Sequence, residues 1–82
     1  MNQQEFLQTI NDYNSIDRKI IKANLKRIMK EQRFRLRDIE GLGYNRYNAA
    51  SWTNKASNNI PMFEQALTIS TTFNFDIKEL LK

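Results

Sequence analysis

The sequence contains no cysteine and no histidine. The first absence removes a disulfide framework and any thiolate metal site. The second removes the commonest general base and the commonest metal ligand. Ser-His-Asp triads, Cys-His pairs and zinc sites are therefore excluded together. No apolar run approaches the about 18 residues that a membrane-crossing helix requires. The first residues are polar, without a basic stretch leading into an apolar core, so no signal peptide is expected and a cytoplasmic location is the default. No stretch alternates apolar and polar residues over more than a few positions, so strands are not expected.

What is present is enough for one small core. The chain has 82 residues, of which 40% are apolar and 27% charged, with nine aromatics. That is the composition of a single globular domain. The net charge of +4 is unevenly spread. Residues 1–17 hold Glu5, Asp12 and Asp17 and no base. Residues 18–55 hold eleven basic residues against Glu31, Asp38 and Glu40. Residues 56–82 are again slightly acidic. A basic middle between mildly acidic ends points to a polyanionic partner on one face, with a merely solvated basic helix as the alternative.

The apolar spacing predicts helices throughout. Phe6, Ile10 and Tyr13 lie on one face of a helix over about 2–13. This element either packs back on the domain, pairs with a second copy or binds a partner. Asp17 or Ser15 caps the next helix, Arg18 to about Gln32. Its stripe is Ile21, Leu25, Ile28 and Met29, with Lys22, Lys26, Arg27 and Lys30 off the stripe. Phe34 reads as a core plug, and Leu36 to about Gly41 as a short helix with Ile39 inward. Ile60-Pro61 opens a helix with Phe63, Ala66, Leu67, Ser70 and Phe73 on one face. Asn74 suits a left-handed cap. Asp76 with Glu79 forms a capping box for a last helix whose inward residues are Ile77, Leu80 and Leu81.

Between these elements lies Gly43-Tyr44-Asn45-Arg46-Tyr47-Asn48-Ala49-Ala50-Ser51-Trp52. Gly41 and Gly43 are the only glycines, and they supply the positive φ and close approach that a tight turn between helices needs. A phosphate-cradling glycine loop is ruled out, because no strand precedes the pair and no GK[ST] follows. Asn45 caps a short helix, expected over 45–55, with Ala49 and Trp52 inward. Its outer positions are small, aromatic or basic. A helix built in this way is suited to entering a DNA major groove as the second helix of a helix-turn-helix.

Together, these features resemble the lambda-repressor-like family of phage and bacterial helix-turn-helix proteins, the repressor/Cro type. Asn24 to Gln32 looks like that family's first helix. Gly43 to Trp52 matches its turn glycine, cap and recognition-helix spacing. Pro61-Met62-Phe63 and Phe73 to Leu81 follow its last two helices. The resemblance implies an all-α fold: a five-helix lambda-repressor-like DNA-binding domain over residues 17–82, with an extra N-terminal helix over 1–16. The register before Gly43 departs from the pattern. Counted forward from Phe34, Glu40 falls where the family prefers alanine; counted back from Gly43, Ile39 does. The second helix or its turn is one residue short, and neither residue is small.

Carried onto this sequence, the resemblance implies base contacts from Arg46, Tyr47 and Ser51. Arg46 suits a guanine and Tyr47 a thymine methyl or a phosphate. Backbone or adjacent contacts are expected from Arg35, Arg37, Asn45 and Asn48, and from Asn54, Lys55 and Asn58 in the loop that follows. The expected partner is double-stranded DNA, bound as a homodimer on paired half-sites. The expected function is sequence-specific transcriptional regulation by a phage- or prophage-type repressor. No catalytic residue, metal, cofactor or membrane is expected, and an enzyme is not. The alternative is a small protein-interaction module on the same scaffold, antirepressor- or antitoxin-like, with a partner regulator protein in place of DNA.

Overall fold

Most of the helices begin where a short polar side chain accepts one of the first free amides, as helix starts require. A computed structural model describes all 82 residues and contains five α-helices, one 3₁₀ helix and no strand. The Asn2 side chain caps α1 (Gln3–Ser15), and Asp17 caps α2 (Arg18–Glu31). Helix α3 (Leu36–Glu40) starts with the Arg35 N–H donating to the Asp38 carboxylate at 2.7 Å. Asn45 caps α4 (Arg46–Thr53), accepting from the Tyr47 N–H at 2.8 Å. Helix α5 (Phe63–Thr72) starts two residues later than the proline suggests. Met62 N–H donates to the Gln65 side-chain oxygen at 2.8 Å, and Pro61 lies buried ahead of it.

The last element is a 3₁₀ helix, Ile77–Leu81. Asp76 caps it through the Lys78 N–H at 2.9 Å. The expected capping box does not close, and the Glu79 carboxylate pairs with Lys82 Nζ at 2.6 Å. Two helix ends share one device. Arg33 ends α2 and Asn74 ends α5, each with φ of 58°. In each case the next residue is a phenylalanine whose N–H reaches back five residues, Phe34 to the Met29 carbonyl and Phe75 to the Ser70 carbonyl, both at 3.0 Å. This is the hydrogen-bond pattern of a Schellman end. It turns both rings inward, where Phe34 stacks on Phe73 at 4.0 Å and on Phe75 at 6.2 Å. Asparagine tolerates that backbone readily; arginine at position 33 does not advertise it.

A single core joins all six elements, built on Tyr13, Ile21, Leu25, Ile28, Phe34, Ile39, Ala49, Trp52, Ala66, Ile69, Ile77 and Leu80. Its radius of gyration is 12.0 Å, close to the ~12 Å of a compact chain of this length. Ile69, outside the expected stripe of α5, is fully inside. Buried polar groups tie the ends together. Asn24 on α2 donates to the carbonyls of Leu80 at 2.8 Å and Lys82 at 3.2 Å, satisfying acceptors that the last helical turn leaves open.

The N-terminal helix packs back on the domain. Phe63 of α5 receives the edges or faces of both Phe6 and Tyr13, each with centroids 5.6 Å away. The Tyr13 hydroxyl donates to the Pro61 carbonyl at 2.6 Å, and Lys78 pairs with Glu5. Burial raises the Tyr13 phenol above the ordinary value of 10.0. The neutral phenol therefore contributes stability that is complete below pH 10 and is lost as pH rises through the higher folded-state value. Tyr13→Phe is expected to lower stability by about 1–2 kcal/mol at neutral pH, through the unmet carbonyl. In urea unfolding the natural chain should lose more stability above pH 10 than this variant does.

Candidate nucleic-acid interface

Helices α3 and α4 pack against each other across a five-residue connection, residues 41–45. Gly41 keeps an ordinary helical backbone, φ −60°, and only Gly43 takes positive φ, at 100°. Nothing lies within 4 Å of where a Gly43 side chain would begin. Its role is therefore conformational, not one of close approach. The Gly43 N–H donates to the Glu40 carbonyl at 2.9 Å and closes the turn.

Of Ile39 and Glu40, Ile39 faces inward, at 0% exposure, as does Ala49 of α4. Glu40 lies on the outer side, its carboxylate 3.7 Å from Arg46 Nε. Trp52 is at 2% exposure and meets the Tyr44 ring edge-on at 5.4 Å. With Ala49 and Trp52 held inside, the 100° turn per residue of a helix sends Arg46, Tyr47, Ala50 and Ser51 outward. The Arg46 side chain is 83% exposed and Tyr47 84%. The Arg46–Glu40 pair is too exposed to be worth more than about 1 kcal/mol.

Three of the expected contact residues are brought together. Arg35, Arg37 and Arg46 line one shallow groove between α3 and α4, with Leu36, Glu40 and Ala50. Tyr47 and Asn48 are exposed on α4 near it. Others are drawn into the chain's own bonding. The Ser51 hydroxyl donates to the Asn48 carbonyl and accepts from the Asn59 side chain, both at 2.7 Å. The Asn45 side-chain oxygen is used as the helix cap. Helix α4 ends at Thr53, so Asn54 and Lys55 lie beyond it, not within it. The Asn54 side-chain oxygen accepts from the Ala56 N–H at 3.0 Å. The Asn58 carbonyl accepts from Arg18 at 3.1 Å.

Lys55 joins a different set. It lines a second groove with Lys19, Lys22, Ala23, Lys26 and Thr53, between α2 and the end of α4. Sequence pattern alone places Lys22 off the apolar stripe, yet it is 6% exposed. Its ammonium donates to the carbonyls of Ser51 and Asn59, so it ties the last turn of α4 and the loop after it to α2. Burial, and then the nearby Arg18 charge, hold its amine below the usual lysine range. The available signal was the row Lys19, Lys22, Ala23 and Lys26, spaced by three and four along α2. No group of three or more acidic side chains is placed to hold a metal, and no helix is long and apolar enough to cross a membrane.

Lys22→Met should remove both charge-assisted bonds and leave two carbonyls unmet, lowering stability by roughly 2–4 kcal/mol. The midpoint of urea unfolding measures this. An unchanged midpoint would mean that the α2–α4 tie carries no weight.

The chain matches no protein-family model, no curated protein and no solved structure.

Proposed function

We propose that α3, its turn and α4 form a helix-turn-helix, and that the protein is a sequence-specific regulator that reads the major groove of double-stranded DNA with α4. The observation that carries this reading is the opposition of the two faces of α4. One is locked into the core by Ala49 and Trp52, and the other presents Arg46 and Tyr47 almost fully to solvent. An eight-residue helix is about 12 Å long, and a B-form major groove is about 12 Å wide.

The roles follow from chemistry. Arg46 has the planar fork that pairs with a guanine edge, and Tyr47 offers a ring to a thymine methyl or a hydroxyl to a phosphate. Arg35 and Arg37 flank the same groove and set the frame on phosphates. Asn48 and Asn58 are exposed and can donate to backbone oxygens. Ser51 has first to release Asn59. A single short helix makes few base contacts, so a homodimer on two half-sites is part of the proposal. A repressor of phage or prophage type is the corresponding regulator, acting without catalysis or cofactor in the cytoplasm.

One observation favours a second reading, a protein-interaction module. Glu40 puts a carboxylate inside the arginine groove, where a phosphate would be repelled and a basic partner attracted. Absence of duplex binding, together with a stable complex with another regulator, would decide for it.

Fluorescence anisotropy with labelled duplexes tests the first reading. Affinity is expected to fall steeply between low and moderate salt; a flat response would count against it. Arg46→Ala should leave the fold intact and remove roughly 1–3 kcal/mol of discrimination between sequences. An unchanged footprint takes Arg46 out of the site. Glu40→Gln should strengthen duplex binding by no more than about 1 kcal/mol, whereas a protein-binding role for that carboxylate predicts no gain.

A further inference from the structure

The lysine groove differs from the arginine groove in one respect. Lys19, Lys22, Lys26 and Lys55 line it with Ala23 and Thr53, and no carboxylate is among them. None of the four takes part in an ion pair: the ion pairs of the fold are Arg27–Glu31, Arg46–Glu40, Lys78–Glu5 and Lys82–Glu79. Lys22 is buried and spent on backbone carbonyls, so its charge is fixed in place below the groove. Lys19, Lys26 and Lys55 stand exposed around it. Like charges gathered along one groove repel, and an anion placed among them relieves that repulsion. With nothing acidic lining the groove, an anion from outside the chain fits there.

The position of the groove limits what that anion is. Ala50 lines the arginine groove and Thr53 the lysine groove. These two residues are one turn apart on the same side of α4. The two basic grooves therefore follow each other along one flank of α4, the first walled by α3 and the second by α2. The other flank carries Asn48, Ser51 and Asn59, which are uncharged. Along α2, Lys19 and Lys26 are seven positions apart, about 10 Å of helix. That length spans about three phosphates of a strand bearing one per ~3.4 Å of duplex axis. Lysine also suits this ligand, since a flexible point charge follows a backbone without demanding a fixed geometry.

We infer that the groove between α2 and the end of α4 is a binding site for successive backbone phosphates of one DNA strand, the strand bordering the major groove that α4 enters. This rests on the proposed role of α4 as a reading helix. The site clamps without reading sequence, and it makes α2 part of the DNA-facing surface.

The double variant Lys19→Gln, Lys26→Gln tests it, because both side chains are exposed and Lys22 keeps its structural bonds. Duplex affinity is measured against salt concentration for both proteins, with thermal unfolding as a check on the fold. The expected result is a log–log salt slope shallower by about two, one for each lysine, with the preferred sequence unchanged. Duplex binding with an unchanged slope overturns the groove while leaving the role of α4 standing. Absence of duplex binding by the natural chain overturns both. A parallel titration with inorganic pyrophosphate, followed by amide NMR shifts at Ala23 and Thr53, separates the sources. Saturable shifts in the natural chain, lost in the double variant, without any duplex binding, would assign the groove to a free phosphoanion and overturn the backbone assignment.

Discussion

Trp52 sits at 2% exposure in a helix of only eight residues, and the outward set of α4 follows from that burial. A helix this short is not stable alone, so its direction is fixed by packing and not by propensity. Trp52 and Ala49 supply the packing, Tyr44 meets the indole edge, and Lys22 holds the last turn by the Ser51 carbonyl. The turn before it is closed by Gly43, whose positive φ no other residue adopts as easily. Loosening any of these would rotate or tilt the helix and move Arg46 and Tyr47 with it. Two fully exposed side chains thus owe their placement to four residues that face the other way.

Charge on this protein is arranged in two ways. The arginine groove contains its own carboxylate, Glu40, which holds Arg46 through a weak surface pair. Exchange of that pair for a base edge carries little penalty. The lysine groove has no internal counterion. In the proposed reading the first discriminates and the second anchors, a division that follows from the planar guanidinium fork and the isotropic ammonium. The fold by itself does not settle function, since the same scaffold serves protein partners as readily. The chemistry of the two grooves is what supports the proposed nucleic-acid partner.

Much of this was legible in the residues. Asn45 and Asp76 marked two helix starts, and Asp17 was one of two candidates for a third, because capping is local chemistry. Ala49 and Trp52, three apart, showed which side of α4 faces inward, and hence that Arg46 and Tyr47 face out. Phe34 read as a plug, although the arginine that turns it inward gave no sign of its left-handed backbone. What was not legible depends on distant partners. Lys22 binds carbonyls 29 and 37 residues away, and Asn24 reaches 56 and 58 residues along the chain. A local pattern shows such residues only as polar and so assigns them to the surface. The same reason hid the company of Lys55, which the sequence places after α4 and the fold places beside α2. Glu79 was matched to a capping box by spacing, but its carboxylate pairs with Lys82.

Sequence reading by α4 is measured most directly by selection of bound sequences from a pool of random duplexes by the intact chain. A reading helix enriches a short motif, repeated with two-fold symmetry at half-sites about 10 base pairs apart. A bound pool indistinguishable from the starting pool would contradict it.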